Sequence, residues 1–255
     1  MKITALTCTG DRPVCLKLLS RWIANQTMQI DQWLVIDDGK EPFVPSLNCD
    51  YIYRKPEENE QGQTLNINIK TALPHITGDI ILFMEDDEYY APDYVKTMIE
   101  KIQHYNIVGI CKSKYYHMPT RTYFAHHNYG HASLAQTAIR KEILPILEEV
   151  LDGDAFIDIR LWERLCNGNP ENKQFIKNFN PQGTVINNQA VLFDDGKNCL
   201  YVGMKGMPGR KGIGSGHKGI GRPDSRLNIL MQWMPKDWKT YFDLKFAPEG
   251  RRKYE

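Results

Sequence analysis

The sequence has no apolar run close to the roughly 20 residues that a transmembrane helix needs. The apolar stretch at residues 1–6 is also too short to form the hydrophobic region of a signal peptide. Its six cysteines occur singly and never as C-x-x-C, which argues against a disulfide framework or a structural zinc site. We therefore expect a soluble, cytoplasmic protein with reduced cysteines and no membrane partner.

Net charge is also nearly absent, at +1 overall, but the charges are unevenly distributed. Residues 200–255 contain twelve Lys or Arg and five Asp or Glu, a net charge of +7, so the rest of the chain carries −6. A basic segment on an acidic body favours a polyanionic partner. The alternatives are a solvated surface, or a loop that meets only the phosphates of a small cofactor.

Short apolar runs alternate with helical patterns over the first 110 residues. We predict strands at 3–7, 32–36, 51–53, 79–84 and 106–111, and helices at 11–23, 65–73 and 93–102. Further helices are predicted at 139–151 and 156–165. This alternation predicts an α/β fold with a mostly parallel sheet flanked by helices, in which ligands bind at the carboxyl ends of the strands.

Four consecutive acids, Glu85 to Glu88, directly follow the most apolar of these strands. Left bare, the four carboxylates would repel one another, and a divalent cation removes that cost. Their hard oxygen ligands suit Mg²⁺ or Mn²⁺. The alternative is a solvated acidic turn that caps the following helix.

Four segments in order carry a resemblance to a known family. They are residues 7–13 (TCTGDRP), 24–27 (ANQT), 35–39 (VIDDG) and 78–87 (GDIILFMEDD). Together they resemble the N-terminal half of family-two glycosyltransferases of the GT-A fold, which is Rossmann-like. The sequence shows no clear linker and no internal repeat, so we expect one structural domain. Residues 1–110 would bind a nucleotide sugar, and residues 111–255, with a glycine-rich basic loop at 203–222, would form a variable acceptor-side half.

The resemblance also assigns roles by position. It places Thr7, Thr9, Arg12 and Asn66 at the nucleotide, Asp38 at the uracil or ribose, Asp86 near the ribose and metal, and Asp87 on the metal. The metal-binding pair remains open between Glu85 with Asp87 and Asp86 with Asp87, because the motif reads Glu-Asp-Asp.

A catalytic base is expected in the segment 152–165, which is similar to the family's acceptor-side helix. Asp158 takes the place of the base that deprotonates the acceptor hydroxyl, and Arg164 takes that of the helix arginine. Asp154 is the rival base. The alternative for Asp158 is an acid favoured at a helix N-terminus by the helix dipole.

The glycine-rich stretch 203–219 can approach phosphates closely, and Arg210, Lys211 and Lys218 can neutralise them. His217 is a candidate further metal ligand by resemblance, with an exposed loop histidine as the alternative. Such a loop can order over the donor as a lid.

Aromatic and basic residues alternate over 112–131, which we interpret as the acceptor-side surface. The leading hypothesis is a metal-dependent inverting transferase with a UDP-sugar donor. Its acceptor would be a hydroxymethylated pyrimidine in DNA, as for certain viral enzymes, or else a glycan or other small acceptor. A nucleotidyltransferase and a non-catalytic sugar- or nucleic-acid-binding module are the alternatives from other classes. The sequence does not indicate the oligomeric state.

Overall fold

The computed structural model describes residues 1–57, 60, 64–128, 130–152, 156–166, 184–187, 189–196, 199–210 and 219–242. Across these residues, we find no helix both long and apolar enough to cross a membrane.

The strands and helices follow one another in an α/β order. The strands are β1 Ile3–Thr9, β2 Gln32–Asp37, β3 Asp50–Tyr53, β4 Ile80–Phe83, β5 Glu88–Tyr90, β6 Ile107–Ile110, β7 Lys112–His117, β8 Thr122–His127, β9 Thr137–Arg140, β10 Thr184–Asn187, β11 Ala190–Phe193, β12 Tyr201–Lys205 and β13 Arg222–Pro223. The helices are α1 Pro13–Ala24, α2 Thr64–Ala72, α3 Tyr94–Ile102, α4 Leu144–Leu151, α5 Ile157–Leu165 and α6 Asn228–Trp233.

The main sheet has eight strands in the order β10-β11-β6-β9-β4-β1-β2-β3. Strand β1 is parallel to both β2 and β4, so the carboxyl ends of these three strands meet at one edge. The pairs β2–β3 and β6–β11 are also parallel, whereas β9 is antiparallel to β4 and β6. The predicted α/β class with a sheet flanked by helices is therefore confirmed.

Hydrophobic residues cover both faces of this sheet. Along β2, for example, Trp33 and Val35 belong to one cluster, with side chains of α1 and α3, while Leu34 and Ile36 belong to the other, with α2, α4 and α5. Burial on both faces is the reason that these strands are apolar without alternation. Both clusters contain residues from before and after residue 110, so the division into a donor half and an acceptor half stays a functional prediction.

A second sheet of five strands, in the order β13-β8-β7-β12-β5, was not predicted. It places residues 112–127 in an antiparallel hairpin and joins the start of the glycine-rich stretch, as part of β12, to β5. Because β5 directly follows the acidic residues, this sheet extends the surface beside them.

Two sequence predictions need correction. Residues 137–140 form strand β9, so the helix predicted at 139–151 begins only at Leu144, after a short 3-10 turn. Residues 203–205, predicted to lie in a loop, complete strand β12. Apolar spacing alone cannot separate a short buried strand from the first turn of a helix.

Candidate active site

The carboxyl ends of β1, β2 and β4 bring the predicted acidic residues together. The Thr9 hydroxyl, at the end of β1, donates a 2.5 Å hydrogen bond to Oδ2 of Asp86, which follows β4. The backbone N–H of Asp38, after β2, donates to the Thr9 carbonyl at 3.0 Å. Residues about 30 and 77 positions away along the chain thus contact Thr9 directly.

Arg12 joins two of the acids. Its Nη1 donates to Asp86 Oδ1 at 2.7 Å and its Nη2 to Asp87 Oδ2 at 3.0 Å. Pro13 begins α1 directly after it, which fixes the chain where the guanidinium reaches the acids. Since both Asp86 oxygens are engaged, by Thr9 and Arg12, Asp86 is positioned as a fixed element of the site.

Three acids form a group that could hold a metal ion. A carboxylate oxygen of Glu85, one of Asp87 and one of Glu88 all lie within 4.8 Å of one another. Glu88 is already engaged, because Met204 N–H donates to its Oε2 at 3.0 Å and the Lys205 ammonium pairs with its Oε1. Within the described part of the chain, no donor contacts the Glu85 carboxylate. Oxygen ligands of this kind suit Mn²⁺ or Mg²⁺.

Lys205, on β12, places a positive charge within this acidic cluster. Its side chain is buried, pairs with Glu88 and lies 4.0 Å from Asp87 Oδ2. Burial alone lowers the pKa of Lys205, but Asp87, Glu88 and Glu85 together raise it above its ordinary value. The ammonium therefore stays charged and offsets part of the negative charge of the site.

The pKa of Glu85 is raised to about 7. Burial is the main cause, the charges of Asp87, Asp86 and Asp158 add to it, and Lys205 opposes it. A carboxylate held among other acids gains from a nearby cation. A divalent ion beside Glu85 would therefore favour its charged form.

Asp37 and Asp38 are adjacent in the sequence but make different contacts. Asp37 accepts hydrogen bonds from the Gly39 and Phe43 N–H groups and from the Tyr51 hydroxyl, so it shapes the loop after β2. The Asp38 side chain is buried, and its backbone N–H contacts the Thr9 carbonyl.

Two arginines contact Asp38. Arg210 Nη2 donates to its Oδ1 at 2.5 Å, and Arg54 Nη2 lies 3.4 Å from its Oδ2. Gly10 makes this contact possible, since a Cβ there would lie 2.2 Å from Asp38 Oδ1 and 2.5 Å from Arg210 Nη2. Arg12 Nε also donates to the Arg210 carbonyl at 2.6 Å. The segment that ends at Arg210 is thus folded against the ends of β1 and β2.

A cavity of about 290 Å³ adjoins these groups. Thr9 and Arg12 line one side, and Pro42 and Phe43, from the loop shaped by Asp37, line another. Its mixture of polar and aromatic walls fits a small flat group with hydrogen-bonding edges.

Asp158 lies in the first turn of α5. Its charge is one of the contributions that raise the pKa of Glu85. Burial raises the pKa of Asp158, while the backbone N–H of Ile159 and the charge of His131 lower it, with a net upward shift. A carboxylate with a raised pKa accepts a proton more readily, which suits a general base.

Phe156, just before α5, has a left-handed backbone conformation with φ of 72° and is 67% exposed. Such backbone strain in a residue other than glycine is frequent beside functional sites.

Thr7 and Asn66 make structural contacts. The fully buried Thr7 hydroxyl donates to the Met84 carbonyl at 2.8 Å and accepts from Trp33 Nε1 at 3.0 Å. The Asn66 amide donates to the Leu151 carbonyl at 3.1 Å. Their roles in donor binding stay predictions.

Four predicted site residues, Asp154, Lys211, His217 and Lys218, lie outside the described residues. Arg164 lies on α5 and pairs with Glu149 at 2.5 Å, both side chains being exposed.

Sequence reasoning missed Lys205 and Arg54. Lys205 is 117 residues from its partner Glu88, and the unpredicted second sheet brings the two together. Arg54 follows β3, and Asn68 Oδ1 accepts from its Nε at 2.9 Å. Its position directly after the predicted third strand was the one feature of the sequence that could have indicated a role in the site.

The family model described as "Glycosyl transferase family 2" matches residues 14–166, which is 153 of the 255 residues. No curated protein is significantly similar in sequence.

Several solved structures share the fold at low sequence identity. S. aureus TarS 1–349 in complex with UDP has a TM-score of 0.50 and 15% identity, over 80% of this chain and 60% of that one. The same protein with UDP-GlcNAc gives 0.48 and 14%, over 86% and 61%. Mannosyltransferase PcManGT from Pyrobaculum calidifontis, in complex with GDP-Man and Mn²⁺, gives 0.41 and 15%, over 57% and 46%. The chain thus spans less than two thirds of each of these structures.

Proposed function

Since the chain belongs to glycosyl transferase family 2, we propose that it is a metal-dependent transferase that moves a sugar from a nucleotide-sugar donor to an acceptor hydroxyl. One observation carries the proposal. The ends of three parallel strands bring Thr9, Asp38 and the acids after β4 to one point, at the edge where ligands bind in sheets of this type.

We place the nucleoside of a UDP-sugar between Asp38 and the cavity beside Thr9 and Arg12. Support comes from the cavity's polar lining at Thr9 and Arg12, from its aromatic wall at Phe43, and from Arg210, which pairs with the buried Asp38. The S. aureus TarS structure with a TM-score of 0.50 was solved with UDP. Donor-binding roles for Thr7 and Asn66 stay predictions, since their side chains donate to the Met84 and Leu151 carbonyls.

We assign the metal to Glu85 and Asp87. Asp86 is occupied by Thr9 and Arg12, and Glu88 by Lys205 and the Met204 N–H, so these two acids shape the site. A bound Mn²⁺ or Mg²⁺ supplies positive charge that stabilises the leaving diphosphate.

Asp158 is the proposed base for an inverting reaction. Its carboxylate takes the proton of the acceptor hydroxyl, whose oxygen forms the new bond to the anomeric carbon while the bond to the diphosphate breaks. Attack from the face opposite the diphosphate inverts the configuration. The raised pKa of Asp158, which lies in the first turn of α5, supports the role, because such a carboxylate accepts a proton more readily.

The acceptor we propose is a hydroxymethylated pyrimidine in DNA. Within residues 219–242, every exposed charged side chain is basic: Arg222, Arg226, Lys236 and Lys239. The two acids of this segment, Asp224 and Asp237, are buried and accept hydrogen bonds from backbone N–H groups and from the Tyr89 hydroxyl respectively. A surface of one charge sign suits a phosphate backbone.

Mass spectrometry of the product tests this function. The protein is incubated with Mn²⁺, a panel of UDP-sugars, and DNA with or without 5-hydroxymethylcytosine, and the nucleosides are then analysed. We expect one hydroxymethylated nucleoside to gain the mass of a sugar residue. Transfer to a glycan acceptor without transfer to DNA would contradict the acceptor, and transfer to neither would contradict the function.

Arg210→Ala is expected to weaken UDP binding by roughly 10- to 150-fold, the loss of a charge-assisted hydrogen bond worth about 1.5–3 kcal/mol. The reason is that Arg210 lies against the proposed nucleoside site and is the donor-binding cation nearest to Asp38. Isothermal titration calorimetry with UDP and Mn²⁺ measures the change. Arg226→Ala, which removes an exposed arginine, is the control. Unchanged or tighter UDP binding by Arg210→Ala would show that Arg210 pairs with Asp38 but does not contribute to donor binding.

The double variant Arg222→Ser/Arg226→Ser should bind duplex DNA more weakly and with less salt dependence. Each phosphate contact contributes about 0.9 to the slope of log K against log salt, so losing two contacts lowers the slope by about 2. Anisotropy titrations at several salt concentrations provide the slope. Lys2→Ser/Lys96→Ser removes two exposed lysines elsewhere and should match the wild type. Equal slopes for both double variants would show that the surface around Arg222 and Arg226 does not contact DNA.

A further inference from the structure

Three aromatic rings lie together on one face of the second sheet. Tyr115 on β7 is paired in register with Phe124 on β8, and their ring centroids are 4.9 Å apart with planes 29° apart. The His126 ring lies 5.7 Å from Tyr115 and 5.9 Å from Phe124, again nearly parallel to both. We refer to Tyr115, Phe124 and His126 as the aromatic trio.

The hydrophobic core does not account for the trio. On the opposite face of the same two strands, Tyr116 and Tyr123 pack into the core, whereas none of the trio belongs to either core cluster. Tyr115 and Phe124 are half-buried and His126 is exposed. The trio therefore presents ring surface that folding alone does not require.

The trio begins where the acidic cluster ends. Gly203 on β12 is paired with Glu88 on one side and with Tyr115 on the other. A Cβ at Gly203 would lie 2.4 Å from the Tyr115 ring and 3.1 Å from Glu88 Oε2, so the glycine lets the ring lie against the strand. The Lys205 ammonium, paired with Glu88, lies 5.6 Å from the centre of the Tyr115 ring.

We propose that the aromatic trio is the platform on which the acceptor base stacks during transfer, a role that rests on the proposed DNA acceptor. Every base has a π-face that aromatic side chains can hold. We propose a nucleobase over an acceptor sugar because exposed arginines lie at the edge of the same sheet, where a phosphate backbone can pass. Arg121 is exposed just before β8, and the exposed Arg222 lies on the edge strand β13, where its pairing with Tyr123 puts it on the face opposite the trio. The target base must leave the duplex stack to reach the platform.

Substitution of the trio tests the platform. We expect Phe124→Leu and His126→Ala each to weaken binding of single-stranded DNA containing 5-hydroxymethylcytosine by roughly 5- to 150-fold, the usual range for loss of one base–aromatic stack. The KM for this DNA should rise by a similar factor, while UDP affinity stays unchanged. Phe124→Tyr keeps the ring and should retain acceptor binding. His104→Ala, which removes an exposed histidine outside the site, is the control for His126→Ala.

The outcomes separate the platform from the function it rests on. Wild-type transfer to DNA with unchanged acceptor affinity in both variants would overturn the platform and leave the function standing. A different result would be no wild-type transfer to DNA but transfer to a glycan whose KM rises in the variants. That result would contradict the nucleobase as acceptor and would indicate that the trio binds an acceptor sugar. Loss of UDP affinity in the soluble, folded variants would overturn the acceptor-specific role.

Discussion

Asp87→Asn is expected to abolish Mn²⁺-dependent donor binding and sugar transfer. The amide keeps the size of the side chain and an oxygen that can accept from Arg12 Nη2, but it removes the charge that a divalent ion needs beside Glu85. Changes outside the ligand set of a metal site already cost roughly 10- to 100-fold in affinity, so loss of a ligand should cost at least about 100-fold. Calorimetric titration of UDP with and without Mn²⁺ measures the effect.

The matched control for Asp87→Asn is Glu100→Gln, which neutralises an exposed acid on α3. It should leave the Mn²⁺ dependence of UDP binding unchanged. Asp87→Asn that binds UDP with the same Mn²⁺ dependence as the wild type would refute the metal role of Asp87. Thermal unfolding of both variants, followed in the absence of metal, identifies any loss of folding.

Asp158→Asn should lose transfer while it keeps donor binding. General base catalysis typically contributes 10²- to 10⁴-fold, and we expect kcat to fall within about that range. The asparagine retains the shape of the side chain at the start of α5 but cannot take a proton. Donor affinity should stay at the wild-type value, since Asp158 belongs to the acceptor side of the proposed site.

Glu163→Gln is the control for Asp158→Asn, because Glu163 is an exposed acid on the same helix. Its kcat should equal that of the wild type. Full transfer activity in Asp158→Asn would return the role of base to Asp154 or to another residue.

The edge of the sheet at which we place the nucleotide could be predicted from the sequence because its signals are local. Strands buried on both faces, such as β2 and β4, appear as continuous apolar runs, and the polar residues that follow them lie at one edge when the strands are parallel. Asp38 and Asp86 were found in this way, and both do meet Thr9 or its neighbours.

The second sheet could not be predicted in the same way. Strand β7 reads KSKYYH, three polar residues followed by three aromatic ones without the alternation of a half-buried strand, and β12 contains Gly203, which weakens a strand pattern. The pairing of β12 with β5 and β7 joins segments 88 or more residues apart along the chain, and no local pattern encodes it. The position of Lys205 beside Glu88 and the path from Glu88 to Tyr115 follow from that pairing alone.

The choice among the acids also required the structure. The motif alone left open whether Asp86 or Glu85 accompanies Asp87. Hydrogen bonds from Thr9 and Arg12 occupy Asp86, and this supports Glu85 as the second proposed ligand.

The most direct test of metal-dependent transfer is UDP release by the wild-type protein with a UDP-sugar panel and hydroxymethylated DNA, in Mn²⁺ and then in excess EDTA. We predict release with at least one donor in Mn²⁺, loss of release in EDTA, and recovery when Mn²⁺ is restored. Equal release in EDTA, or no release with any donor in Mn²⁺, would contradict the account.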